Sequence, residues 1–477
     1  MDIEVARKLI QKAEENYTAS RMKTQIANRY YLGDNDIMDR PSRDCEEGKA
    51  ENVLRNADNR ISFNFYGLLV NQKASYLFTA PPLFDIGTDS DNEKVANILG
   101  DDYSKKCKDL CVDASNAGVA WVHYWIDNTG AFQWFPVKST EIIPIYSSTL
   151  DKKLQAVLRT YQMTDDNGET WNIHEYWTDT TCTSFKQRED TLAEFPMFEA
   201  VINGEVVATN EYQHGFGEVP FIAFYNNNTE TNDLDKIKGL CDTYDKTFSG
   251  FVDDLEDIQE VILVVTNYGG TDPKQLLNDL KYYKTVQVES AGDGDHSGLS
   301  TLTIDIPVEA RDKLLELTRK SIFTMGQGVD PEQQGIDHTS GEAMKFTYSL
   351  LELKAGLTET EFRRGFGALL RAICRLSGIK EPQNIIQTWQ RTSIRNNAEL
   401  VSMCQQSVGI LSTKTILKNH PFVENADDEA KELEKEKKEK AKEVENYQNA
   451  FMQVKENQDE DENKKVQVKN DEPDGNE

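Results

Sequence analysis

The sequence has few basic residues for its length. Its 53 lysines and arginines stand against 82 aspartates and glutamates, which gives a formal net charge of −29 over 477 residues. A protein that grips nucleic acid by its phosphates needs a basic surface, so this balance argues against an electrostatically driven DNA-binding protein. If DNA is a partner, we expect the protein to hold it weakly.

Paired cysteines and long apolar runs are missing as well. The seven cysteines are scattered without Cys-x-x-Cys spacing, which predicts reduced thiols and neither a disulfide framework nor a zinc site. No window reaches the roughly 18 to 20 uninterrupted apolar residues of a membrane span, and the N-terminus lacks an apolar signal region. We therefore expect a soluble, intracellular protein without a membrane partner.

Motifs of common catalytic sites are also absent. The sequence contains no phosphate-binding loop, no His-Glu-x-x-His and no Gly-x-Ser-x-Gly nucleophile elbow. Residues 293–298 resemble the start of a calcium loop, but its twelfth position is Ile304 and not the glutamate that completes such a site. We predict no catalytic residue, no metal and no cofactor, and interpret 292–298 as a polar hairpin tip. A cation at this tip stays an open alternative.

The hydrophobic pattern changes its period along the chain. Residues 2–32, 61–78 and 92–115 predict helices. Seven β-rich runs follow between 119 and 202, with glycine-containing hairpin signals at 127–130, 165–168 and 203–204. The predicted fold class is therefore α+β. One antiparallel sheet of six or seven strands is expected to end near Pro220 and to be followed by an exposed link at 226–232.

A heptad-like seam of apolar residues continues from Ile237 to Ile262 in alternating steps of four and three. Such a seam needs a neighbouring helix, in the same subunit or in another one. The following segment, 263–306, predicts a short helix after Asp272 and two strands, at 286–289 and 299–306. A segment of this size buries little core alone, so copies from other chains are expected to complete it.

Two helices with a polar loop between them follow. Pro307 favours a helix start, and the helical pattern of 308–325 stops at Gly326-Gln-Gly328. Thr339-Ser-Gly-Glu342 has the spacing of a capping box, and the helix that begins there continues to Gly378 with a predicted bend at Gly356. The loop between the helices contains no lysine or arginine.

The C-terminal part is polar. Shorter helices are predicted over 397–411 and 413–418, and a charged helix over 424–445. The acidic remainder, 451–477, has the composition of a disordered tail.

Several local motifs resemble the portal proteins of tailed bacteriophages, in the form found in siphophages of Gram-positive hosts. The matches are Tyr30-Tyr-Leu-Gly33, Ser75-Tyr-Leu-Phe-Thr-Ala-Pro-Pro82, Gly118–Tyr124, and Thr339-Ser-Gly-Glu-Ala-Met344 through Leu353-Lys-Ala355 and Phe362-Arg-Arg364. The last stretch is similar to the family's Ser-Gly-x-Ala-Leu and Leu-x-Lys-Ala pattern, with Met344 where leucine is usual. The resemblance extends over residues 20–420.

The resemblance implies a portal-like fold with a mixed α/β wing, a helical stem, a small α/β clip, a long bent wing helix and a helical crown. The implied segments are the wing (1–232), the stem (233–262 and 307–325), the clip (263–306), the tunnel loop (326–340), the long bent wing helix (341–384), the crown (385–450) and the disordered acidic tail (451–477).

The resemblance also implies a function without catalytic activity. It implies a ring, a dodecamer, at one capsid vertex, through which double-stranded DNA is packaged and ejected. The implied partners are other copies of the chain, the DNA, the terminase large subunit, the head-completion adaptor, and the major capsid and scaffold proteins. The implied locations are the virion and, during assembly, the host cytoplasm.

The tunnel loop is the candidate functional site. The residues expected to face DNA are Asp330, Glu332, Gln333, Gln334, Asp337 and His338. The expected loop hinge and cap are Gly326, Gly328, Thr339, Gly341 and Glu342, and the expected clip docking surface is Tyr282, Tyr283, Glu289, Asp293 and Asp295. An acidic channel wall would let the duplex slide, because each neutralised phosphate adds affinity that has to be broken at every step.

Two other functions stay open at this point. One is a cytosolic helical scaffold or interaction protein without a DNA role, whose apolar seam and charged C-terminal helix bind partner helices. The other is an enzyme whose carboxylates near 292–298 hold a metal ion. Imaging of the purified protein for rings separates the portal from the scaffold, and a Mg²⁺-dependent nuclease or ATPase assay tests the enzyme.

Overall fold

The computed structural model describes residues 2–41, 57–202, 205–258, 262–266, 298–302, 307–332, 341–391, 397–423, 426 and 428–442. The chain divides into two compact units. The first comprises residues 1–334 and 346–392, and the second comprises 335–345 and 393–477.

The helices lie mostly where the sequence pattern predicts them. They are α1 (Ile3–Tyr31), α2 (Phe65–Leu77), α3 (Asp89–Leu99), α4 (Tyr103–Ala117), α5 (Lys238–Ile258), α6 (Val308–Gly326), α7 (Gly341–Leu376), α8 (Asn397–Gln406) and α9 (Thr413–Asn419), with short 3₁₀ turns at Ser139–Glu141 and Leu234–Lys236.

The strands are concentrated between α4 and α5. They are β1 (Leu83–Asp85), β2 (Val119–Ile126), β3 (Phe132–Val137), β4 (Ile142–Tyr146), β5 (Leu154–Thr164), β6 (Thr170–Trp177), β7 (Thr181–Arg188), β8 (Thr191–Glu194), β9 (Phe198–Ile202), β10 (Glu205–Thr209), β11 (Glu211–Gln213), β12 (Phe221–Tyr225), β13 (Ile262–Thr266), β14 (Gly298–Leu302) and β15 (Ile386–Thr388).

The prediction of mixed helices and sheets is confirmed, but the prediction of one continuous sheet was wrong. A six-stranded antiparallel sheet has the order β11-β7-β6-β5-β4, with β8 also paired to β7. β2 and β3 belong to a separate three-stranded sheet with β12, a strand that follows Pro220 and was not predicted. β9 pairs with β10, β13 with β14, and β1 with β15.

Glycine positions explain two helix boundaries. The helix predicted over 92–115 is two helices, because Gly100, with a φ of 80°, ends α3 before α4 begins at Tyr103. α7 runs without interruption through Gly356 and ends shortly before Gly378, which has a φ of 68°. A positive φ at such a position is accessible to glycine without strain, and it ends the helix.

Two buried clusters meet on α2. One joins α2 and α4 to the three-stranded sheet and to α7, where the rings of Phe362 and Phe366 lie 5.2 and 5.0 Å from that of Phe224. The other joins α1 and α2 to α5 and α6, with Phe65 edge-on to Phe323 at 6.0 Å. Each buried aromatic side chain stabilises the fold by roughly 1.5–3 kcal/mol. α2 therefore contacts both helices that flank the polar loop.

The link at 226–232 is exposed in its middle, at 228–230, as predicted, but its two ends are buried. Asn226 and Asn232 are only 2% and 6% exposed. The Asn226 amide donates to the Thr231 carbonyl at 3.0 Å, and the Asn232 side-chain oxygen accepts from the Asp235 amide at 2.9 Å. These internal hydrogen bonds let the polar ends of the link lie in the interior, where unpaired polar groups are costly.

The stem and clip segments are described in part. α5 is shorter than the predicted seam of 237–262, because Ile262 already belongs to β13. β13 was not predicted, and it pairs with β14, which begins the strand expected at 299–306. The predicted helix after Asp272 and the strand at 286–289 lie outside the described residues.

The C-terminal helices largely agree with the prediction. α8 and α9 fall on the predicted segments, although α8 ends earlier than 411, at Gln406. Residues 428–442 are helical, within the predicted range of 424–445. The start of the predicted crown contains strand β15, which pairs with β1 in the first unit. The tail, 451–477, lies outside the described residues.

Candidate functional site

One face of α2 forms the surface on which the polar loop begins. Leu69, Gln72, Lys73 and Tyr76 follow one another at helical spacing, so they share this face. The last residue of α6 and the six residues that follow it, Gly326–Glu332, are called the loop anchor below. The sequence predicts α2 only as a buried helix, whereas the structure shows that its polar side chains hold the loop anchor and α7.

Gly326 and Gly328 allow the loop anchor to approach α2 closely. A β-carbon on Gly326 would lie 2.6 Å from Cδ1 of Leu69, and one on Gly328 would lie 2.1 Å from Cδ2. The left-handed residue at the end of α6 is Gln327, with a φ of 55°. Close packing thus explains both glycines, while the change of chain direction falls on a residue for which this conformation is less favourable.

Gln72 binds the loop anchor as a peptide group would. Its side-chain amide donates to the Val329 carbonyl at 2.7 Å and accepts from the Val329 amide at 3.0 Å. Val329 is itself buried. One side chain therefore satisfies both backbone groups of Val329, which fixes the position of the loop anchor along α2.

Asp330 and Glu332, two of the predicted DNA-facing residues, are ion-paired with Arg319 of α6. Arg319 Nε and Nη2 donate to the two Asp330 oxygens at 3.2 and 2.8 Å, and Nη1 lies 2.6 Å from Glu332 Oε2. The Asp330 side chain is 22% exposed and that of Glu332 is 73% exposed. A neighbouring helix therefore neutralises much of the charge at the start of the loop.

A buried cluster of two lysines and one aspartate lies beside the loop anchor. Asp233 Oδ2 accepts from Lys73 Nζ at 2.8 Å and lies 3.0 Å from Lys354 Nζ. Lys73 also donates to Asn226 Oδ1 at 2.5 Å, and Lys354 donates to the Gly326 carbonyl at 2.9 Å. The cluster joins α2, the segment after β12, the end of α6 and α7.

The ionic state of this cluster follows from its composition. Burial acts to raise the pKa of Asp233, but the ammonium groups of Lys354 and Lys73 outweigh it and hold that pKa well below its ordinary value. Burial lowers the pKa of Lys354, although Asp233 opposes the change. The Gly326 carbonyl at the C-terminal end of α6 adds a favourable partner for a cation. Asp233 is thus ionised at neutral pH.

A second polar row holds α5 in place. Asp245, Ser249 and Asp253 occur at every fourth position and are buried, at 0%, 0% and 2% exposure. They accept hydrogen bonds from every second backbone amide of a non-helical segment. The Phe63 amide donates to Asp245 at 3.0 Å, the Ile61 amide to Ser249 at 3.0 Å, and the Asn59 amide to Asp253 at 2.7 Å. Four helical residues rise about 6 Å and two extended residues about 6.6 Å, so the spacings match.

The segment 57–63 is called the α5 strap below. Sequence reasoning interpreted α5 from its apolar seam alone and missed the polar row, although an Asp-x-x-x-Ser-x-x-x-Asp repeat is visible at 245–253. Buried carboxylates at helical spacing indicate that a helix binds backbone amides or cations along one side. Here the partners include backbone amides of the α5 strap and the side-chain amides of Asn35 and Asn59.

Several predicted site residues lie outside the described part of the chain. Gly341 is the first residue of α7, and Glu342 follows it in the helix. The loop residues outside the description are Gln333, Gln334, Asp337, His338 and Thr339, and the clip residues are Tyr282, Tyr283, Glu289, Asp293 and Asp295. Their roles stay predictions.

The residues that hold the loop anchor were not predicted as site residues. Lys354 is part of the Leu353-Lys-Ala355 motif, which indicated importance but no partner. Lys73 lies in the apolar run 61–78, and a lysine at such a position needs a counter-charge. That signal was available, whereas the partner, Asp233, is 160 residues away in the sequence.

Within the described ranges, no group of three or more His, Cys, Asp or Glu side chains is arranged to hold a metal ion. The six cysteines that they contain are free and buried. No helix among the described residues has the length and apolar character needed to cross a membrane.

The fold is thus a mixed α/β architecture in which side chains of α2, α6 and α7 hold the loop anchor. Residues 10–443 match the family model of phage portal proteins of the SPP1 Gp6-like type. The chain is 40% identical to the portal protein of Clostridium phage phiCD119, over 91% of this chain and 97% of that protein. It is 30% identical to the portal protein of Bacillus phage SPP1, over 86% and 82% of the two chains.

The chain therefore belongs to the SPP1 Gp6-like family of phage portal proteins, which confirms the family predicted from the motifs. As a member of this family it is a structural protein of the virion. Among solved structures, it is similar to a chain from the neck of a native gene transfer agent particle, with a TM-score of 0.41 and 12% identity over 74% of this chain and 88% of that one.

Proposed function

We propose that this chain assembles into a ring, a dodecamer, that forms the channel for double-stranded DNA at one capsid vertex. DNA enters through it during packaging and leaves through it during ejection. Membership of the portal family over residues 10–443 is the observation that carries this proposal. The same family supports docking of the terminase large subunit and the head-completion adaptor on 263–306, and contacts with the major capsid and scaffold proteins.

The contacts of the loop anchor refine which loop residues face DNA. Gln72, Lys354 and Arg319 hold residues 326–332 at three separate places. We assign Asp330 and Glu332 to the loop anchor because their carboxylates are already paired. The proposed DNA-facing residues are therefore the remaining four, Gln333, Gln334, Asp337 and His338.

The exposed face of α6 supports assembly with other copies. Leu314, Leu317 and Met325 are 44%, 52% and 58% exposed, although they are large and apolar. A row of such side chains on one helix is typical of a surface that another protein covers. In the proposed ring, the neighbouring subunit covers this face of the stem.

Ring formation tests the proposal. Negative-stain microscopy and light scattering of the purified protein should show rings, and Leu317→Glu should shift the protein toward monomers because a charge replaces apolar contact area. Leu32→Glu is a matched control, since Leu32 is 78% exposed at the end of α1, and we expect it to leave ring formation unchanged. Monomers or dimers at every concentration of the unaltered protein, with no rings, would contradict the proposal.

A further inference from the structure

Strand β10 is the free edge of a small sheet. It pairs with β9 along its whole length, and among the described residues no strand pairs with its other side. Only residues 203 and 204 join the two strands, so Glu205 and Ile202 form a hydrogen-bonded pair and such pairs alternate along the hairpin. The backbone N–H and C=O groups of Val206 and Ala208 therefore point away from β9.

The side chains of this edge are exposed and mostly apolar. Val206 is 66% exposed and Val207 is 42% exposed, and Ala208 is exposed as well. An apolar edge strand is a template for a further strand, and proteins normally protect such an edge with charges, proline or a covering segment. β10 contains no proline and one charged residue, Glu205. Its composition is therefore that of an edge that another segment covers.

The hairpin of β9 and β10 is anchored at its base. The ring of Phe198, at the start of β9, stacks on that of Tyr212 with 5.5 Å between their centres. Phe198 also packs against the buried cluster that contains Trp121 and Trp177. The edge is thus presented at a defined position, which lowers the entropic cost of binding a partner there.

The charges around this edge have one sign. Residues 189–213, which include β8 to β11, contain six aspartates and glutamates and no lysine or arginine. Glu199 and Glu205, the two carboxylates of the hairpin, are exposed, and neither is ion-paired within the described part of the chain. A second copy that paired β10 with β10 would bring these carboxylates together, and like charges opposite each other destabilise a sheet.

We propose that β10 binds an extended segment of a partner protein as an additional strand, and that this segment alternates apolar with basic side chains. Its backbone would complete the hydrogen bonds of Val206 and Ala208. Because alternate residues of a strand share a face, its apolar side chains would lie beside these two residues, and its lysines or arginines would lie beside Glu205 on the opposite face. This docking site goes beyond the channel function, since it binds a protein segment and not DNA.

Peptide binding to the purified, assembled protein tests the proposal. Fluorescence anisotropy compares a labelled Lys-Val-Lys-Val-Lys-Val-Lys peptide with a second peptide in which two of the valines are proline. The second peptide has the same charge but lacks backbone donors and cannot add a regular strand. We expect the first peptide to bind roughly tenfold more tightly, because it alone can complete the backbone hydrogen bonds.

Ala208→Pro removes one outward N–H of β10 and should lower the affinity for the valine peptide about tenfold. Proline is tolerated on an edge strand where its missing donor faces away from the neighbouring strand, and circular dichroism checks that the variant is folded. Ala208→Ser is the matched control, because it retains the N–H and should bind as the unaltered protein does.

Glu205→Gln is a second variant that leaves the backbone of β10 unchanged. It should lower the affinity a few-fold at low salt and have little effect at high salt, where an exposed charge pair is screened. Unchanged affinity of this variant at low salt would contradict the basic character of the partner.

Two further outcomes would overturn the proposal. Equal binding of the two peptides, or unchanged affinity in folded Ala208→Pro, would show that the peptide does not add a strand to β10. Binding to dissociated subunits but not to the assembled protein would assign the edge to a neighbouring copy of the chain instead of a partner protein.

Discussion

Asp233 and Asp245 are both buried carboxylates, but the surrounding groups stabilise them in opposite ways. Asp233 lies between the ammonium groups of Lys73 and Lys354. Asp245 accepts hydrogen bonds from the Asn35 amide at 2.6 Å and the Phe63 amide at 3.0 Å, and the described residues offer it no ion pair. Depth of burial is therefore not what distinguishes the two sites.

The pKa values of the two carboxyls diverge accordingly. Burial favours the neutral acid at both positions. Two cations reverse this effect at Asp233 and lower its pKa, whereas burial raises the pKa of Asp245 to about 6 despite its two neutral donors. The Asp233 carboxylate consequently stays ionised in the physiological pH range, whereas the contact between α5 and its strap depends on pH through Asp245.

The largest effect is expected when the charge of Asp233 is removed. Asp233→Asn leaves two buried lysines without a counter-charge, and breaking a buried ion pair in this way typically costs about 3–5 kcal/mol. The urea midpoint of unfolding, followed by tryptophan fluorescence, measures this loss. The double variant Asp233→Asn, Lys354→Met should recover part of the stability because only one buried lysine remains.

Asp235→Asn is the matched control for this variant. Asp235 pairs with Lys23 at 3.5 Å, and both side chains are well exposed, at 42% and 66%. A surface pair of this kind contributes about 0–1 kcal/mol. If Asp233→Asn costs no more than Asp235→Asn, the buried cluster does not stabilise the fold in the way that we describe.

A smaller effect on the free energy of unfolding is expected from a change of pH, because Asp245 changes its protonation state. Its folded pKa of about 6 lies above the ordinary value of 3.8, so the folded protein binds more protons than the unfolded chain between these values. The contribution of Asp245 to stability is therefore greatest below about pH 4 and falls as the pH rises through about 6. The loss is at most about 3 kcal/mol, since one pKa unit corresponds to about 1.4 kcal/mol.

The variant Asp245→Asn isolates this contribution. Burial also raises the pKa of Asp113 to about 6, so the pH profile of the unaltered protein contains more than one group. The difference between the unaltered protein and Asp245→Asn cancels Asp113. We expect this difference to change between pH 4 and pH 7, and identical profiles for the two proteins would contradict the assignment to Asp245.

Asn35 explains why the variant is expected to fold. Its side-chain oxygen has no hydrogen-bond partner in the described part of the chain. Rotation of the Asn35 amide would let this oxygen accept from the new NH2 group at position 245, while the single oxygen of the new side chain still accepts from the Phe63 backbone amide. A neutral group at 245 thus keeps the strap contact, as a protonated Asp245 does.

The comparison also shows what sequence reasoning could reach. Helix α6, the anchor glycines and the hairpin turns were predictable because periodicity and glycine are local signals. The two glycines at 326 and 328 indicated the end of the helix but not their contact with Leu69, which is contributed by a helix more than 250 positions earlier.

Long-range pairing accounts for what the sequence did not reveal. Lys73, Asp233 and Lys354 come from three separate elements, and nothing in their local surroundings specifies that they meet. The division of the strands into two main sheets depended on β12, whose partner β2 lies about a hundred residues away. The family motif around Lys354 located this part of the site, and only the fold supplied its partners.

Direct contact between the loop and DNA is the most decisive property of the proposed portal. A photo-cross-linking amino acid at Gln334, in a packaging complex stalled with DNA in the channel, should capture the duplex. The same group at Gln133, an exposed position on strand β3, should capture none. Cross-linking from Gln334 alone is the predicted result, and equal capture from both positions, or capture from Gln133 alone, would contradict the placement of the loop in the DNA channel.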